Sequence, residues 1–345
     1  MSRRPKLSDV AKQANVSPAT VSRVLNHPEI VTPHLRAKVM TAVRKLGYVP
    51  DATARALSLG RSDTIGAVVP TLGVAIFADG ITALQARLRE SGLTLLVANS
   101  EYDSEKELQE IRVFLERGVD GLVLVGDLAS SAASELAAQY KTPLITTYVG
   151  ASRIAVPAVG IDNADAMYQM VRYLLDLGHR EFGVITDAAA RNDRTEARRD
   201  GMMRALREAQ IVLPAERVMQ VPYSIASGRL ALRDLVRSLP QITAVVCTSD
   251  VLAIGALAEC RALGLDVPHD ISVTGYDDIE IAQHTEPPLT TVKVPAAEIG
   301  RLAAEHIISA IEGDRPPAST TLPTRLTIRG SCAAPREAAG RSVRP

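Results

Sequence analysis

The stretch LSDVAKQANVSPATVSRVLN, residues 7–26, contains two short helical patterns with almost nothing between them. Ser8 is the expected N-cap of the first helix. The apolar positions that share one face of this helix are Val10, Ala11 and Ala14. Two helices of this length are too short to bury a core by themselves. The stretch therefore predicts that a third helix completes the fold.

The second and third helices have clear start signals. Ser17 is the expected N-cap of the second helix, and Pro18 stands at its first position, where a missing N–H costs nothing. The buried side of this helix is predicted to be Val21, Val24 and Leu25. Thr32 and Pro33 repeat the same signals, and Gly47 ends a third helix that completes one small core. The apolar positions of the third helix are Leu35, Val39, Val43 and Leu46.

The polar face of the second helix has small and hydroxyl-bearing side chains, which allow the helix to lie close to a duplex. This face carries Pro18, Ala19, Thr20, Ser22 and Arg23. Arg23 is long enough to reach a guanine edge in the major groove. Two helices joined by a tight turn form a helix-turn-helix, in which the second helix reads DNA. The alternative is an ordinary helical hairpin with a solvated polar face.

The charge of the chain is divided unevenly, although its formal net charge is zero. Residues 1–61 carry 11 Lys and Arg against 3 Asp and Glu, or +8, whereas the remaining 28 basic and 36 acidic residues give −8. A basic segment on an acidic body indicates a polyanionic partner for that segment alone. Nucleic acid fits better than a membrane, because no basic amphipathic helix with large apolar residues is present there.

From Asp63 onward, short apolar β runs alternate with helical patterns. The predicted strands are 65–69, 94–98, 121–125, 144–148, 182–186, 218–221, 244–247 and 272–275. Helical patterns such as 81–91 and 105–117 are long enough for crossover helices. This α/β alternation predicts parallel sheets covered by helices on both faces. Ligands of such sheets bind beyond the carboxyl ends of the strands.

The sequence lacks signatures of catalysis and of metal or cofactor binding. No G-x-G-x-x-G follows the first strand, and neither G-x-x-x-x-G-K-[ST] nor G-x-S-x-G occurs. Cys247, Cys260 and Cys332 have no metal-ligand spacing, and the six histidines form no H-E-x-x-H pair. No run is apolar for long enough to cross a bilayer, and no signal-peptide pattern is present. We therefore expect a cytoplasmic protein that is not an enzyme and uses no cofactor.

Two stretches resemble the amino-terminal part of the LacI/GalR (lactose-repressor and galactose-repressor) family of bacterial transcription factors. They are residues 7–26 and LGYVPDATARALSLGRSDTIG, residues 46–66, and the resemblance continues along nearly the whole chain. It implies that Pro18, Ala19 and Arg23 read bases. Since proline and alanine offer only apolar contacts, hydrogen-bonded base reading rests on the arginine. The resemblance further implies contacts to the DNA backbone for Thr20, Ser22, Asn26 and Thr32.

The segment DATARALSLG, residues 51–60, follows the three helices and is too short to stay helical alone in water. The resemblance implies a hinge helix that folds on DNA, pairs with its twin in the minor groove and inserts a leucine between the central base pairs. By position that leucine is Leu57, with Ala54 and Arg55 beside it. Such an insertion kinks the duplex. From the residues alone, the segment could equally be a flexible linker.

The resemblance also divides the chain into domains. An all-α helix-turn-helix domain at 1–48 and a hinge or linker at 49–61 precede an effector-binding and dimerisation body at 62–331. The body is expected to resemble periplasmic sugar-binding proteins, with two parallel-sheet subdomains and three crossings of the chain between them. The subdomains are predicted at about 62–161 with 292–320, and at about 162–290 with 321–331. Residues 332–345 contain no leucine heptads, so we expect a disordered tail rather than a tetramerising helix.

In the family the ligand lies between the subdomains, and its contact positions match seven residues of this chain. They are Ile76, Phe77, Asp165, Arg198, Tyr223, Ser249 and Asp277. Such a set suits a sugar or sugar acid, because carboxylates and arginine hold adjacent hydroxyls while an aromatic ring covers a sugar face. Structural explanations are also open: Phe77 can be core, Asp165 a helix cap and Asp277 a turn residue. Arg198 can equally be one of several solvated arginines in its segment.

The sequence thus predicts a dimeric DNA-binding regulator, a repressor, whose affinity for a palindromic operator is controlled by a small sugar-like metabolite. A two-fold dimer matches a palindrome, since one half-site reader binds weakly. One alternative is a sugar-modifying enzyme with a DNA-targeting head, which would turn over a sugar when purified. The other is a DNA-binding protein indifferent to metabolites, in which no small molecule would alter operator release or thermal stability.

Overall fold

A computed structural model of the protein describes most of the chain. The described residues are 4–50, 60–126, 130–152, 156–187, 192–313 and 318–336. The chain forms two compact units, of which the first comprises 1–64 with 118–120 and the second comprises 65–117 with 121–345.

The described residues of the first unit form three helices, as the cap signals and apolar spacing predict. They are α1 Leu7–Ala14, α2 Pro18–Asn26 and α3 Pro33–Leu46, with a 3-10 turn at Pro28–Ile30. The core of this unit consists of Val10, Ala11, Ala14, Val21, Val24, Val39 and Ala42. The predicted helical faces are therefore the buried ones, and the helix-turn-helix prediction is confirmed.

The caps of these helices agree with the sequence at Ser17 but not at Ser8. The Ser17 hydroxyl accepts a hydrogen bond from the backbone N–H three residues on, at 3.1 Å. Helix α1 begins at residue 7, so Ser8 lies inside it and Lys6 is its N-cap. The Asp9 carboxylate accepts from the Lys6 N–H at 2.8 Å and satisfies the donor before the helix. Thr32 occupies the cap position of α3, but its hydroxyl makes no capping bond.

The second unit is built on two sheets. Its strands are β1 Thr64–Val69, β2 Thr94–Asn99, β3 Gly121–Val125, β4 Leu144–Thr147, β5 Ala158–Ile161, β6 Phe182–Asp187, β7 Val218–Val221, β8 Ala244–Cys247, β9 Ser272–Thr274, β10 Thr291–Lys293, β11 Thr320–Leu322 and β12 Arg325–Thr327. The first sheet has the order β11-β5-β4-β3-β1-β2, and the second has the order β7-β6-β8-β9. The pairings from β11 to β1 and those of the second sheet are parallel, whereas β10 and β12 form a separate antiparallel pair.

Helices cover both faces of these sheets. They are α4 Ala75–Glu90, α5 Ser104–Glu116, α6 Ser130–Gln139, α7 Asn163–Asp176, α8 Asp193–Glu208, α9 Ile225–Ser238, α10 Asp250–Ala262 and α11 Ala296–Ile311, with 3-10 turns at Ala215–Arg217 and Glu280–Gln283. Every residue of β3 and β8 is buried, as parallel strands covered on both sides require. The α/β body with two parallel sheets is therefore confirmed.

All eight predicted strands are present, and four further strands were not predicted. Those four are β5, β10, β11 and β12, each of three or four residues. β11 pairs in parallel with β5, so residues 321–322 belong to the first sheet. The predicted boundary placed these two residues in the second subdomain. β10 follows β9 of the second sheet and precedes α11, which packs on the first sheet, and β12 follows β11 of the first sheet, so both strands lie where the chain passes between the two sheets.

The end of the chain is ordered further than its composition predicts. His179 donates from Nε2 to the carbonyl of Ala333 at 2.9 Å. The Arg336 guanidinium lies 3.0 Å from the Asp270 carboxylate. Because the second subdomain binds this segment, the prediction of disorder from residue 332 is wrong for the segment up to Arg336. The rest of the predicted tail lies outside the described residues.

Helices α4 and α11 approach so closely that Gly300 has no room for a side chain. A Cβ at this position would lie 2.0 Å from the carbonyl oxygen of Gly80. Gly300→Ala is therefore expected to lower the free energy of unfolding by about 1–3 kcal/mol, through forced separation of the helices. Urea denaturation measures this loss. Gly73→Ala is the control, since its Cβ would meet no atom closer than 3.5 Å, and equal denaturation midpoints for the two variants would contradict the prediction.

Candidate functional sites

Helix α2 presents the side chains that the sequence predicts for DNA reading. Pro18, Ala19 and Arg23 are exposed, as is Thr32 before α3, whereas Thr20, Ser22 and Asn26 are partly buried. Among the residues that the structure describes, the Arg23 guanidinium has no hydrogen-bond or ion-pair partner, so its donors are available to an external acceptor. The Asn26 amide donates to the Ser22 hydroxyl at 3.4 Å, which orders both side chains on the helix surface. The hinge residues Ala54, Arg55 and Leu57 lie outside the described residues, and their role stays a prediction.

A cleft lies beyond the carboxyl ends of the strands of both sheets in the second unit. The first subdomain lines it with Val74, Ile76, Phe77, Tyr102, Tyr148 and Ile161. The second subdomain and the crossing segment line it with Asn163, Asp187, Asn192, Arg194, Arg198, Tyr223, Asp277 and Val294. The position agrees with the rule for ligands of parallel sheets. Five of the seven predicted contact residues are brought together here: Ile76, Phe77, Arg198, Tyr223 and Asp277.

The other two predicted residues lie elsewhere. Asp165 is exposed, and its carboxylate lies 3.3 Å from the Arg204 guanidinium. It does not cap helix α7 either, since the Asp162 carboxylate accepts from the Asp165 N–H at 2.8 Å. Successive helical residues turn by 100°, so a residue two positions after Asn163 points about 200° away, and only Asn163 reaches the cleft. Ser249 lies beneath the cleft as the buried N-cap of α10.

Arg198 is held on all sides in the cleft. Its Nε donates to Asn163 Oδ1 at 3.1 Å and its Nη1 donates to the Thr248 carbonyl at 2.8 Å. The guanidinium carbon stands 3.9 Å from the centroid of the Tyr276 ring, within the range of a cation–π contact. Its Nη2 is 4.0 Å from the Asp277 carboxylate. The guanidinium is thus fixed in place, with one edge facing the cleft.

The remaining charges of the cleft nearly cancel. Arg194 is buried and donates from Nη1 to Asp193 at 2.9 Å. The Asp187 carboxylate accepts from the Thr195 hydroxyl at 2.6 Å. Burial raises the pKa of Asp277 to about 7, although nearby arginine favours its ionised form. The cleft therefore offers carboxylate acceptors and guanidinium donors side by side, without a surplus of positive charge.

Aromatic rings form the apolar part of the cleft. Phe77 and Tyr148 meet edge to face with ring centroids 5.3 Å apart, and the Tyr148 hydroxyl donates to the Ile76 carbonyl at 2.8 Å. Tyr102 and Tyr148 both have left-handed backbones, with φ of 60° and 63°. Such conformations are costly for large side chains and collect at functional sites. Both rings line the cleft, so two residues with strained backbones meet at the predicted binding site.

The Tyr223 hydroxyl is a buried polar atom that is left for a ligand. Within the described residues it has no hydrogen-bond partner of ordinary geometry. Burial raises its pKa well above the usual range, and the nearby Ser249 hydroxyl opposes this shift only in part. A buried hydroxyl without a partner is costly, so a ligand hydroxyl that pairs with it would gain stabilisation.

Motif matching did not find nine of the fourteen cleft residues. Six of the nine have polar or aromatic side chains: Tyr102, Tyr148, Asn163, Asp187, Asn192 and Arg194. Asp187 and Tyr148 could have been found from the strand-end rule alone, because each stands at or directly after the end of a predicted strand. Arg194 and Tyr102 carry no such signal in the sequence.

The raised pKa of Asp277 makes the stability of the body depend on pH. The folded-state pKa of about 7 lies above the ordinary aspartate pKa of 3.8, so the unfolded state ionises first and the free energy of unfolding falls as pH rises between these values. Asp277→Asn is expected to reduce this loss. Denaturation at pH 5 and pH 8 tests it, with the exposed Asp165→Asn as control; equal pH dependence in wild type and Asp277→Asn would contradict the prediction.

The described residues contain neither a candidate metal site nor a helix that could span a membrane. No group of three or more His, Cys, Asp or Glu could hold a metal ion there. No helix within the same ranges is both long and apolar enough to cross a membrane. A helix-turn-helix and a two-sheet body with a polar cleft define the class of DNA-binding proteins with a small-molecule site.

Comparison with known proteins identifies the family within that class. Residues 6–51 match the model of bacterial regulatory proteins of the lacI family, and residues 171–332 match a periplasmic binding protein-like domain. The ribose operon repressor of Haemophilus influenzae is 33% identical over 89% of this chain and 92% of its own length. The repressor PurR of Escherichia coli O1:K1 is 33% identical over 95% of this chain and 96% of its own.

A solved structure agrees with these relatives. The lac repressor dimer bound to operator and the anti-inducer ONPF has a TM-score of 0.83 and 26% identity, over 96% of this chain and 100% of that one. The chain belongs to the LacI family of bacterial regulatory proteins. The relatives are transcriptional repressors, so the predictions of a DNA-binding regulator and of its fold are confirmed.

Proposed function

We propose that the protein is a repressor that binds a palindromic operator as a dimer and responds to an uncharged, ring-shaped polyhydroxylated compound in the cleft. The observation that carries this proposal is the composition of the cleft. Fixed guanidinium and carboxylate groups stand beside aromatic rings, which suits a ligand with hydroxyls on its edge and C–H groups on its face. The two-sided lining lets such a ligand favour one arrangement of the subdomains over another.

The charges of the cleft favour a neutral ligand over a sugar acid. Arg194 and Arg198 face Asp187 and Asp277, and Asp193 already pairs with Arg194. The Arg198 donors at Nε and Nη1 are also occupied by protein acceptors. The carboxylate of a sugar acid would be buried with no unpaired cation to bind it, and burial of an unpaired charge is costly. Neutral hydroxyls can instead donate to the aspartates and accept from the free guanidinium edge.

The DNA-binding half of the proposal rests on helix α2 and on the relatives. Arg23 is the exposed side chain suited to a guanine edge, and the lac repressor structure holds a dimer on its operator. We assign Pro18 and Ala19 to apolar base contacts and Leu57 to insertion into the minor groove. Such a regulator acts in the cytoplasm, where the bacterial chromosome lies. Ligand and operator affect each other's affinity reciprocally, in either direction.

The experiment is an operator titration with matched ligands. An operator is first selected from a random duplex pool, and its affinity is measured at fixed salt. D-Ribose, D-glucose and D-galactose are then compared with D-ribonate, D-gluconate and D-galactonate. At least one aldose should change operator affinity by about tenfold and raise the melting temperature, while its matched acid should not. A response to an acid alone would contradict the neutral ligand, and no response to any compound would contradict ligand control.

The same samples distinguish the enzyme alternative. The family consists of regulators, and the described residues that line the cleft include no Ser, Thr, Cys or Lys side chain. Incubation of purified protein with each aldose, followed by mass spectrometry, should return the sugar unchanged. A converted sugar would overturn the assignment of the cleft as a purely sensing site.

A further inference from the structure

The turn that carries Asp277 into the cleft has an unusual backbone. It follows β9 and spans residues 275–279. Asp277 has φ of 118° and Asp278 has φ of 56°, so two consecutive residues other than glycine adopt positive φ. Such a turn persists only where its surroundings hold it. Two side chains from outside the turn, Asp250 and Arg329, supply that restraint.

Asp250 restrains the turn through its side-chain carboxylate. It is fully buried at the start of α10, and its Oδ2 accepts from the Ile279 N–H at 2.9 Å. Its Oδ1 accepts from the Thr291 hydroxyl at 2.6 Å. Thr291 belongs to β10, the strand that crosses between the subdomains. One carboxylate therefore joins the turn to the crossing strand.

Arg329 holds the turn from the other side. Its Nη2 lies 2.6 Å from Asp278 Oδ1, and both side chains are largely buried. Its Nη1 donates to the Leu289 carbonyl at 2.8 Å, and its backbone N–H donates to the Thr290 hydroxyl at 3.0 Å. Leu289 and Thr290 lead into β10. The Arg329–Asp278 pair thus joins the turn to the segment after β12, where Arg329 lies, and to the segment that leads into β10.

We propose that Arg329 and Asp250 are positioning residues of the effector cleft, which hold the Asp277–Asp278 turn in the conformation that presents Asp277 to the ligand. Neither side chain lines the cleft. The other partners of Arg329 and Asp250 lie in the segments that cross between the subdomains. A movement of these segments that opens the cleft therefore also displaces Asp277. This inference rests on the proposed function, since it assigns residues to the recognition of the same ligand.

The protonation of Asp277 reports on the turn. Its neighbours with charge or titratable groups are Tyr102 and Tyr148 of the first subdomain, Asp187, Arg194, Arg198 and Tyr223 of the second, and Asp250, Tyr276 and Asp278 around the turn. With a pKa of about 7, ligand affinity in the wild type should increase as pH rises through 7, where the carboxylate forms. A loosened turn admits water, lowers this pKa and moves the increase to lower pH.

The test compares Asp278→Asn, Arg329→Met and the double variant with wild type. Asparagine tolerates a left-handed backbone, so the first change removes the ion pair while sparing the turn from added strain. Asp165→Asn is the control, because it removes the carboxylate of an exposed pair with Arg204 outside the cleft. Where Arg329→Met does not fold, Arg329→Lys keeps the charge and loses the two-sided contact.

Each single variant should weaken binding of the active aldose from the operator titration by about tenfold. The double variant should lose no more than the single variants, since they remove the same contact. Operator affinity without sugar should stay unchanged. The increase of sugar affinity with pH should occur at lower pH than in the wild type. Wild-type sugar affinity in both single variants, or a parallel loss of operator binding, would overturn the inference.

Hydrogen exchange of the ligand-free protein tests whether Arg329 restrains the turn, even if no sugar binds. The Asp277 N–H donates to the Val292 carbonyl at 2.9 Å, and loosening of the turn breaks this bond. In Asp278→Asn, the amides of Asp277 and Ile279 should exchange about tenfold faster, while those of β9 keep their rates. Unchanged exchange in the turn would refute its restraint by Arg329, whereas a failed sugar titration alone would refute only the proposed function.

Discussion

Arg23→Ala is expected to abolish the preference of the protein for its selected operator over random duplex DNA. Arg23 is exposed on α2 and has no partner within the described residues, so its fork of donors can bind a guanine edge. Each lost contact of this kind costs about 1–3 kcal/mol, and a dimer on a palindrome loses two. Competition titrations with operator and random duplex at one salt concentration measure the ratio of affinities.

Lys45→Ala is the matched control for this experiment. Lys45 is an exposed cation in the last turn of α3, within the same unit. Its removal should weaken binding to both duplexes alike, or to neither, because a point charge reads no bases. Retained selectivity in Arg23→Ala would remove Arg23 from the set of base-reading residues.

Arg198→Ala is expected to eliminate the response to sugar while operator binding persists. The substitution removes the donor edge that faces the ligand, and it leaves Asp277 and the Thr248 carbonyl without their cation. Loss of a buried, charge-assisted partner costs about 3 kcal/mol, so sugar affinity should fall by about 100-fold. Titration of the sugar and of the operator on the same sample separates the two functions.

Arg204→Ala is the control on the same helix. Arg204 is exposed, stacks on Tyr168 with 4.0 Å between guanidinium carbon and ring centroid, and pairs with Asp165 outside the cleft. It should retain the full sugar response. If Arg198→Ala responds to sugar as Arg204→Ala does, the cleft has been assigned to the wrong residues.

Local signals in the sequence predicted the elements that depend on local chemistry. Ser17 and Pro18 mark the start of α2, because cap and first-turn preferences act within a few residues. Eight of the ten strands in the two main sheets were predicted from their apolar runs, since parallel strands covered on both faces are largely apolar. β10 and β12 were not predicted, because each has only three residues and neither contains an apolar run.

The cleft shows the same division between local and long-range information. Arg198 and Asp277 were predicted by motif, and the structure places them 4.0 Å apart. Asp165 was predicted where Asn163 lies in the structure. A motif gives the position of a residue along the chain, but it does not give the direction in which its side chain points from a helix. The contacts of Arg329 with Asp278 join residues 51 positions apart and could not be predicted from either segment alone.

The interleaving of the two sheets has a consequence for synthesis on the ribosome. The first sheet needs β11 and its covering helix α11, both of which lie after the whole of the second sheet in the chain. A nascent chain can therefore complete the three-helix unit early, whereas neither half of the body is complete until the last translated segments emerge. We expect translation that stops before α11 to release a product with an intact DNA-reading helix and no sensor.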